Sequence, residues 1–191
     1  MKVLKNKENL KIIAGVLLFV LIAQLTFLIA TSVTRREILY TLTYTLYGEE
    51  KTLSGKAICE FDCMVFSTND GFKPRYCIYL EGQEEAKSES LGITVLNLRG
   101  MEEPENFRNY VYRTAFPGER LTGVCLSGGS AKGYMKQEKG HGIRHNLDLS
   151  VDYEIEMPTG GNGSGGYYID PDSAEAVFGI RLISFEYDIK S

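Results

Sequence analysis

The feature that most constrains this chain is an uncharged apolar run near its start. Ile12 to Thr31 reads IIAGVLLFVLIAQLTFLIAT, twenty residues in which only Gln24, Thr26 and Thr31 are clearly polar. A helix rises 1.5 Å per residue, so about twenty such residues match the roughly 30 Å hydrocarbon core of a bilayer. A helix on the surface of a soluble domain would show a polar stripe, and this run is apolar all round. The rival reading is a cleavable signal peptide, for which Ala30-Thr31-Ser32 offers small residues at a cleavage site, but the run is longer than the usual 7 to 15 residues of such signals. The expected organisation is therefore a basic cytoplasmic tail over 1–11, a transmembrane signal-anchor over 12–32 and an extracytoplasmic domain over 33–191. Lys2, Lys5, Lys7 and Lys11 precede the run and only Arg35 and Arg36 follow it, which by the positive-inside rule puts the N-terminus in the cytoplasm. The expected localisation is a single-pass protein of the cell membrane, with residues 12–32 in the lipid.

From Glu37 onward 15 Lys and Arg face 24 Asp and Glu, a net charge of −9. Nucleic-acid binding needs clustered basic residues that neutralise phosphates, and the sequence shows no such stripe. The same balance argues against contact with an anionic lipid surface and suits a basic protein partner or a divalent cation.

Beyond the apolar run the periodicity is two. In Leu147 to Met157 the odd positions are apolar and the even ones, Asp148, Ser150, Asp152, Glu154 and Glu156, are polar. That alternation is a half-buried antiparallel strand. Ile183, Phe185, Tyr187 and Ile189 alternate likewise with Ser184, Glu186, Asp188 and Lys190, and Tyr40, Leu42, Tyr44 and Leu46 with threonines. A hairpin loop at Gly48-Glu49-Glu50-Lys51 and a return strand to about Phe66 follow, with Ala57, Cys59, Phe61, Cys63 and Val65 on one face. Further strands fall at about 75–81, 92–98 and 119–126, and short helices at 104–113 and after Asp170-Pro171, where Asp caps and Pro takes the first turn. The Gly-rich stretches 127–146 and 158–166 read as long loops. The fold class is mainly β: an N-terminal transmembrane helix, then a small antiparallel β-sandwich or open sheet with one or two short helices.

Four cysteines, Cys59, Cys63, Cys77 and Cys125, lie on the exported side, and an even count there suggests two disulfides. Residues four apart in a straight strand sit roughly 13 Å from each other. A disulfide needs Cα atoms within about 7 Å, so Cys59 and Cys63 would each pair elsewhere, with Cys77 or Cys125. Cys59, Cys63, His141 and His145 have superficially zinc-like spacing, but 77 residues separate the two pairs. Ser127, Ser130, Lys132 and the two histidines are the raw material for a hydrolytic site in the 127–146 loop, without a Gly-x-Ser-x-Gly motif. Asp148, Asp152, Glu154, Glu156, Glu186 and Asp188 would share one acidic interaction face if their strands were neighbours, offering oxygen ligands for calcium or a dock for a basic partner. Asn162-Gly163-Ser164 is a glycosylation triplet.

The layout resembles that of type IV pilins and pseudopilins, which also carry a short basic leader, an apolar N-terminal helix and a small β-rich head. Ala14-Gly15 stands where that family is processed, Val20 occupies the position that family usually gives to Glu, and strand begins by about Leu39. The resemblance implies a filament subunit. The residues themselves point first to a membrane-anchored, non-catalytic binding or accessory subunit of a cell-envelope complex, without a cofactor and with another membrane or envelope protein as partner. A small metal-binding or hydrolytic domain is the remaining alternative.

Overall fold

A computed structural model describes residues 11–25, 35–69, 71–111, 118–137, 139–145, 147–157 and 160–190. The chain divides into two compact units, Met1–Arg35 and Arg36–Ser191. In the first, residues 11–25 form a helix (α1) in which every side chain is exposed, including Ile12, Leu17, Phe19 and Leu21. Among the described residues no helix is long and apolar enough to cross a membrane, and the expected span over 12–32 runs into residues 26–34, outside those described.

The second unit is mainly β, in two antiparallel sheets. The strands are β1 (Arg35–Leu46), β2 (Glu49–Ser67), β3 (Gly71–Leu80), β4 (Ser90–Asn97), β5 (Arg120–Ser130), β6 (Gly140–Arg144), β7 (Leu149–Met157), β8 (Gly161–Ile169) and β9 (Ile180–Lys190). The first sheet has the order β3-β2-β1-β9-β6 and the second β4-β5-β7-β8. The described residues also form short helices α2 (Phe107–Tyr110), α3 (Ala131–Lys136) and α4 (Pro171–Phe178) and a 3-10 turn at Glu84–Ala86. Both sheets feed one apolar core: Ile38, Leu42, Cys59, Ile78 and Phe185 from the first, Leu91, Ile93, Val124, Leu126, Leu149 and Val151 from the second.

Local chemistry accounts for the element ends. The β1–β2 turn has positive φ at Tyr47 and Gly48, the two-residue geometry that matches the twist of paired strands. At α4 the Ser173 N–H donates to the Asp170 carboxylate at 3.0 Å, Pro171 fills the first turn, and Gly179 ends the helix in the left-handed region at φ 66°. Arg36 donates from Nη1 to the Tyr134 carbonyl at 3.1 Å and to that of Gln137, satisfying carbonyls at the end of α3.

The two Gly-rich stretches are not long loops. β5 continues to Ser130, α3 follows and β6 occupies 140–144, while residues 161–169 form β8. Their glycines make room for large neighbours. A Cβ on Gly128 would sit 2.8 Å from Leu91 Cδ2 and 3.2 Å from Phe185 Cζ; one on Gly129 would sit 2.8 Å from the Arg144 guanidinium. That guanidinium lies 5.8 Å from the Tyr134 ring centre and 5.4 Å from that of Tyr187. In β8, Gly163 and Gly165 accept Ile155 and Tyr153 of β7 in the same way.

Register slips occur in several strand pairs, and those on β2 and β9 break the alternation read from the sequence. Between Phe61 and Cys63 the β2 register slips against β3, so Cys63 faces away from the side that Ala57 and Cys59 share. On β9 the register slips between Ser184 and Leu182, which leaves Ile183 39% exposed and Ser184 buried, whereas Leu182 and Phe185 point inward. An inserted residue reverses every later side chain of its strand.

Gly128→Ala forces a methyl between Leu91 and Phe185, both almost fully buried, and is expected to lower unfolding free energy by about 1–3 kcal/mol. Gly92→Ala, with no atom within 4 Å of the added carbon, is expected to stay within about 0.5 kcal/mol of wild type. Urea denaturation of the two variants checks the difference.

Candidate functional site

The residues singled out in the sequence do not assemble as one site. Cys59 is buried in the core and its thiol donates to the Ala131 carbonyl at 3.3 Å. Cys63 and Cys77 lie on the outer side of the β2–β3 pair, opposite Arg75 and Glu60, and Cys125 lies on the outer side of the second sheet. All four are free cysteines, which corrects the expectation of two disulfides. Cys59 faces the core while Cys77, paired with Glu60, faces the outer side of the same sheet, Cys63 lies opposite Arg75, and Cys125 faces outward on the other sheet. His141 is on the outer side of β6 opposite Asp188, and His145 lies beyond β6 with Nδ1 at 3.2 Å from the Ile183 carbonyl exposed by the β9 bulge. Among the described residues no three His, Cys, Asp or Glu side chains gather as a metal site. Ser130 spends its hydroxyl capping α3, accepting from Gly133 N at 3.1 Å, and Ser127 faces outward on the other sheet from the histidines.

The acidic residues divide too. β7 and β9 belong to different sheets, so Asp148, Asp152, Glu154 and Glu156 lie on one outer face of the domain and Glu186 and Asp188 on the opposite one. Glu154 holds Arg99 at 2.7 Å and Glu156 lies 3.7 Å from Arg120.

What the second sheet does assemble is a shallow polar groove on its outer face. Register places Thr94, Cys125, Ser150 and Tyr168 in a single row across β4, β5, β7 and β8. The adjoining row is Asn97, Gly123, Asp152 and Gly166, and Gly92 and Ser127 flank the first row on its other side. Small side chains therefore form the floor, and Tyr168, 78% exposed, stands at one end. Two hollows of about 260 and 190 Å³ meet here, sharing Cys125 and Asp152 as lining. The Ser150 hydroxyl donates to Asp152 Oδ1 at 2.9 Å, and Thr94 Oγ1 lies 3.6 Å from Cys125 Sγ. Neither glycines nor alternation in single strands signals such a row. It depends on how four strands register, and two bulges in β4–β5 set that register.

Burial, reinforced by the Asp152 carboxylate, pushes the Cys125 thiol up to about 12. At neutral pH the group is a protonated thiol, a poor nucleophile and a poor metal ligand. The groove offers hydroxyl, thiol and carboxylate groups suited to hydrogen bonding rather than to covalent chemistry. A larger hollow of about 400 Å³ lies elsewhere, bounded by Lys73, Arg75, Tyr76, Glu89, Ser130 and Lys132. No family model, curated protein or solved structure matches this chain.

The thiols give a pH signature. Unfolded thiols ionise from about pH 8.5, whereas burial pushes Cys59 and Cys125 up to about 12 in the fold. Stability is thus fully present below the unfolded value and falls as pH rises towards the folded one. The urea midpoint is expected to drop between about pH 8.5 and 11, and less steeply in Cys125→Ser, which keeps a hydrogen-bonding group but does not titrate. Equal slopes would contradict the buried, neutral thiol.

Proposed function

We propose that this chain is a membrane-anchored, extracytoplasmic binding or accessory subunit that holds a polypeptide partner in the outer groove of its second sheet. The groove is the observation that carries this reading. Its two hollows are each smaller than the usual 300–1,000 Å³ of a small-molecule pocket, and they are open and continuous, as suits the successive side chains of an extended segment. Arg99 is engaged by Glu154, so the carboxylates of Asp148 and Asp152 set the sign of the lining and favour a basic segment. The anchor is supported by the apolar run of the sequence and by α1, whose large apolar side chains are all uncovered and require lipid or another chain around them. With its thiol protonated and its serine bound to Asp152, the groove favours binding over nucleophilic catalysis.

Native mass spectrometry of the chain extracted from its membranes in mild detergent tests the reading. A stoichiometric protein partner is expected, and Gly92→Tyr, which fills open groove space without meeting another atom at its Cβ, is expected to abolish its recovery. Recovery of the wild type as a lone chain, or a partner retained by Gly92→Tyr with unchanged yield, would overturn it.

A further inference from the structure

Four carboxylates from β7 and the residue before it stand on the outer face of the second sheet, and the chain supplies cations to two of them. Glu154 holds Arg99 at 2.7 Å, and Glu156 lies 3.7 Å from Arg120. Among the described residues neither Asp148 nor Asp152 forms an ion pair. Asp152 is half-buried, and the Ser150 hydroxyl that donates to its Oδ1 at 2.9 Å is a neutral partner. A carboxylate drawn partly out of water with no cation beside it is poorly compensated.

The strand register centres this unmatched charge on Ser150. Its partners across the sheet are Cys125 on β5 and Tyr168 on β8, at the roughly 5 Å of directly opposed side chains. Along the chain its neighbours on the same face are Asp148 and Asp152, each about 6.6 Å away. All five residues line one hollow of about 190 Å³. Asp152 lies between Gly123 and Gly166 on its own row, so no side chain on either adjacent strand walls off its carboxylate. A Cβ on Gly166 would already come within 3.0 Å of Asp152 Oδ1. Tyr168, 78% exposed, borders the hollow from β8. Among the described residues no three His, Cys, Asp or Glu side chains gather here, so a metal ion would lack ligands.

We infer that the place above Ser150 receives an arginine side chain of the bound segment, its guanidinium paired with Asp152 and its plane laid against the Tyr168 ring. The inference deepens the groove reading and rests on it. A guanidinium presents five N–H donors in one plane, so its edges serve carboxylates on two sides while its face stacks on an aromatic ring. Asp148 and Asp152 lie on opposite sides of Ser150 along the chain, and Tyr168 lies across from it, which is the arrangement such a group requires. Ser150 holds Oδ1 of Asp152 and leaves Oδ2 to accept. An ammonium is a compact, strongly hydrated charge without a stacking face, and it uses this site less fully. The chain itself meets Glu154 with an arginine on this face, and the partner supplies the one that Asp152 lacks.

The test titrates the full chain, in mild detergent and about 0.15 M salt to screen distant charges, against dye-labelled heptapeptides followed by fluorescence anisotropy. The peptides are built of serine, threonine and glycine, with arginine, lysine or citrulline at the centre. The arginine peptide is expected to bind about tenfold more tightly than its neutral, nearly isosteric citrulline counterpart, and several-fold more tightly than the lysine one. Asp152→Asn keeps an acceptor for Ser150 and is expected to weaken the arginine peptide about tenfold. Tyr168→Leu is expected to weaken it about threefold, and Tyr168→Phe, which retains the ring, to leave it unchanged. Glu156→Gln, which removes a charge already facing Arg120, is expected to have no effect. Equal affinity for the lysine or citrulline peptide, or equal losses in Glu156→Gln and Asp152→Asn, overturns the arginine site, and so does a failure of every peptide to bind. The groove itself is judged separately by native mass spectrometry. A partner lost in Gly92→Tyr but retained in full by Asp152→Asn leaves the groove and removes the arginine, whereas recovery of no partner removes both.

Discussion

The pairing of β1 with β9 is the constraint on which the rest of the domain depends. These are the first and last strands, joined from Glu37↔Lys190 to Leu46↔Ile180 in the middle of the first sheet. β2 and β3 join β1 through local hairpins, but β6 pairs with β9 and enters that sheet only once the two ends of the domain have met. Their inward residues, Ile38, Leu42, Phe185 and Ile189, form the floor onto which the second sheet closes. Contacts so distant in sequence incur loop-closure entropy before any local reward, which favours slow folding of such a topology.

Much of this was legible where one strand speaks for itself. The alternation in Leu147–Met157 holds in β7, with Leu149 and Val151 in the core and Glu154 and Glu156 outside. β1 follows its Tyr-Leu pattern, and Asp170-Pro171 opens α4 as its side chains require. Alternation fails wherever a bulge intervenes, because the signal has no marker for an added residue. Asp62 on β2 and Ile183 on β9 are of that kind, and they misplace Cys63 and Ser184 respectively.

The glycines misled for a different reason. Runs such as Ser127-Gly128-Gly129-Ser130 and Gly161 to Gly166 look like loops when propensity is counted residue by residue. In the fold each glycine is the space left by a neighbour: Leu91 and Phe185 against Gly128, Tyr153 against Gly165. Propensity measures what a segment prefers alone, and packing across strands overrides it. The groove and the split acidic faces share this origin. Both depend on which strands become neighbours, information held by the β1–β9 pairing and the bulges rather than by any window of sequence.

The position of β1 has a mechanical consequence. It is flanked on both sides, by β2 and by β9. Inter-strand hydrogen bonds in antiparallel sheets run perpendicular to the strands. Tension along β1 would load both ladders in shear, where many bonds must fail together, instead of unzipping them singly. β1 is thus held far better against force along its own axis than β6 or β8 are against force that peels them from a sheet edge.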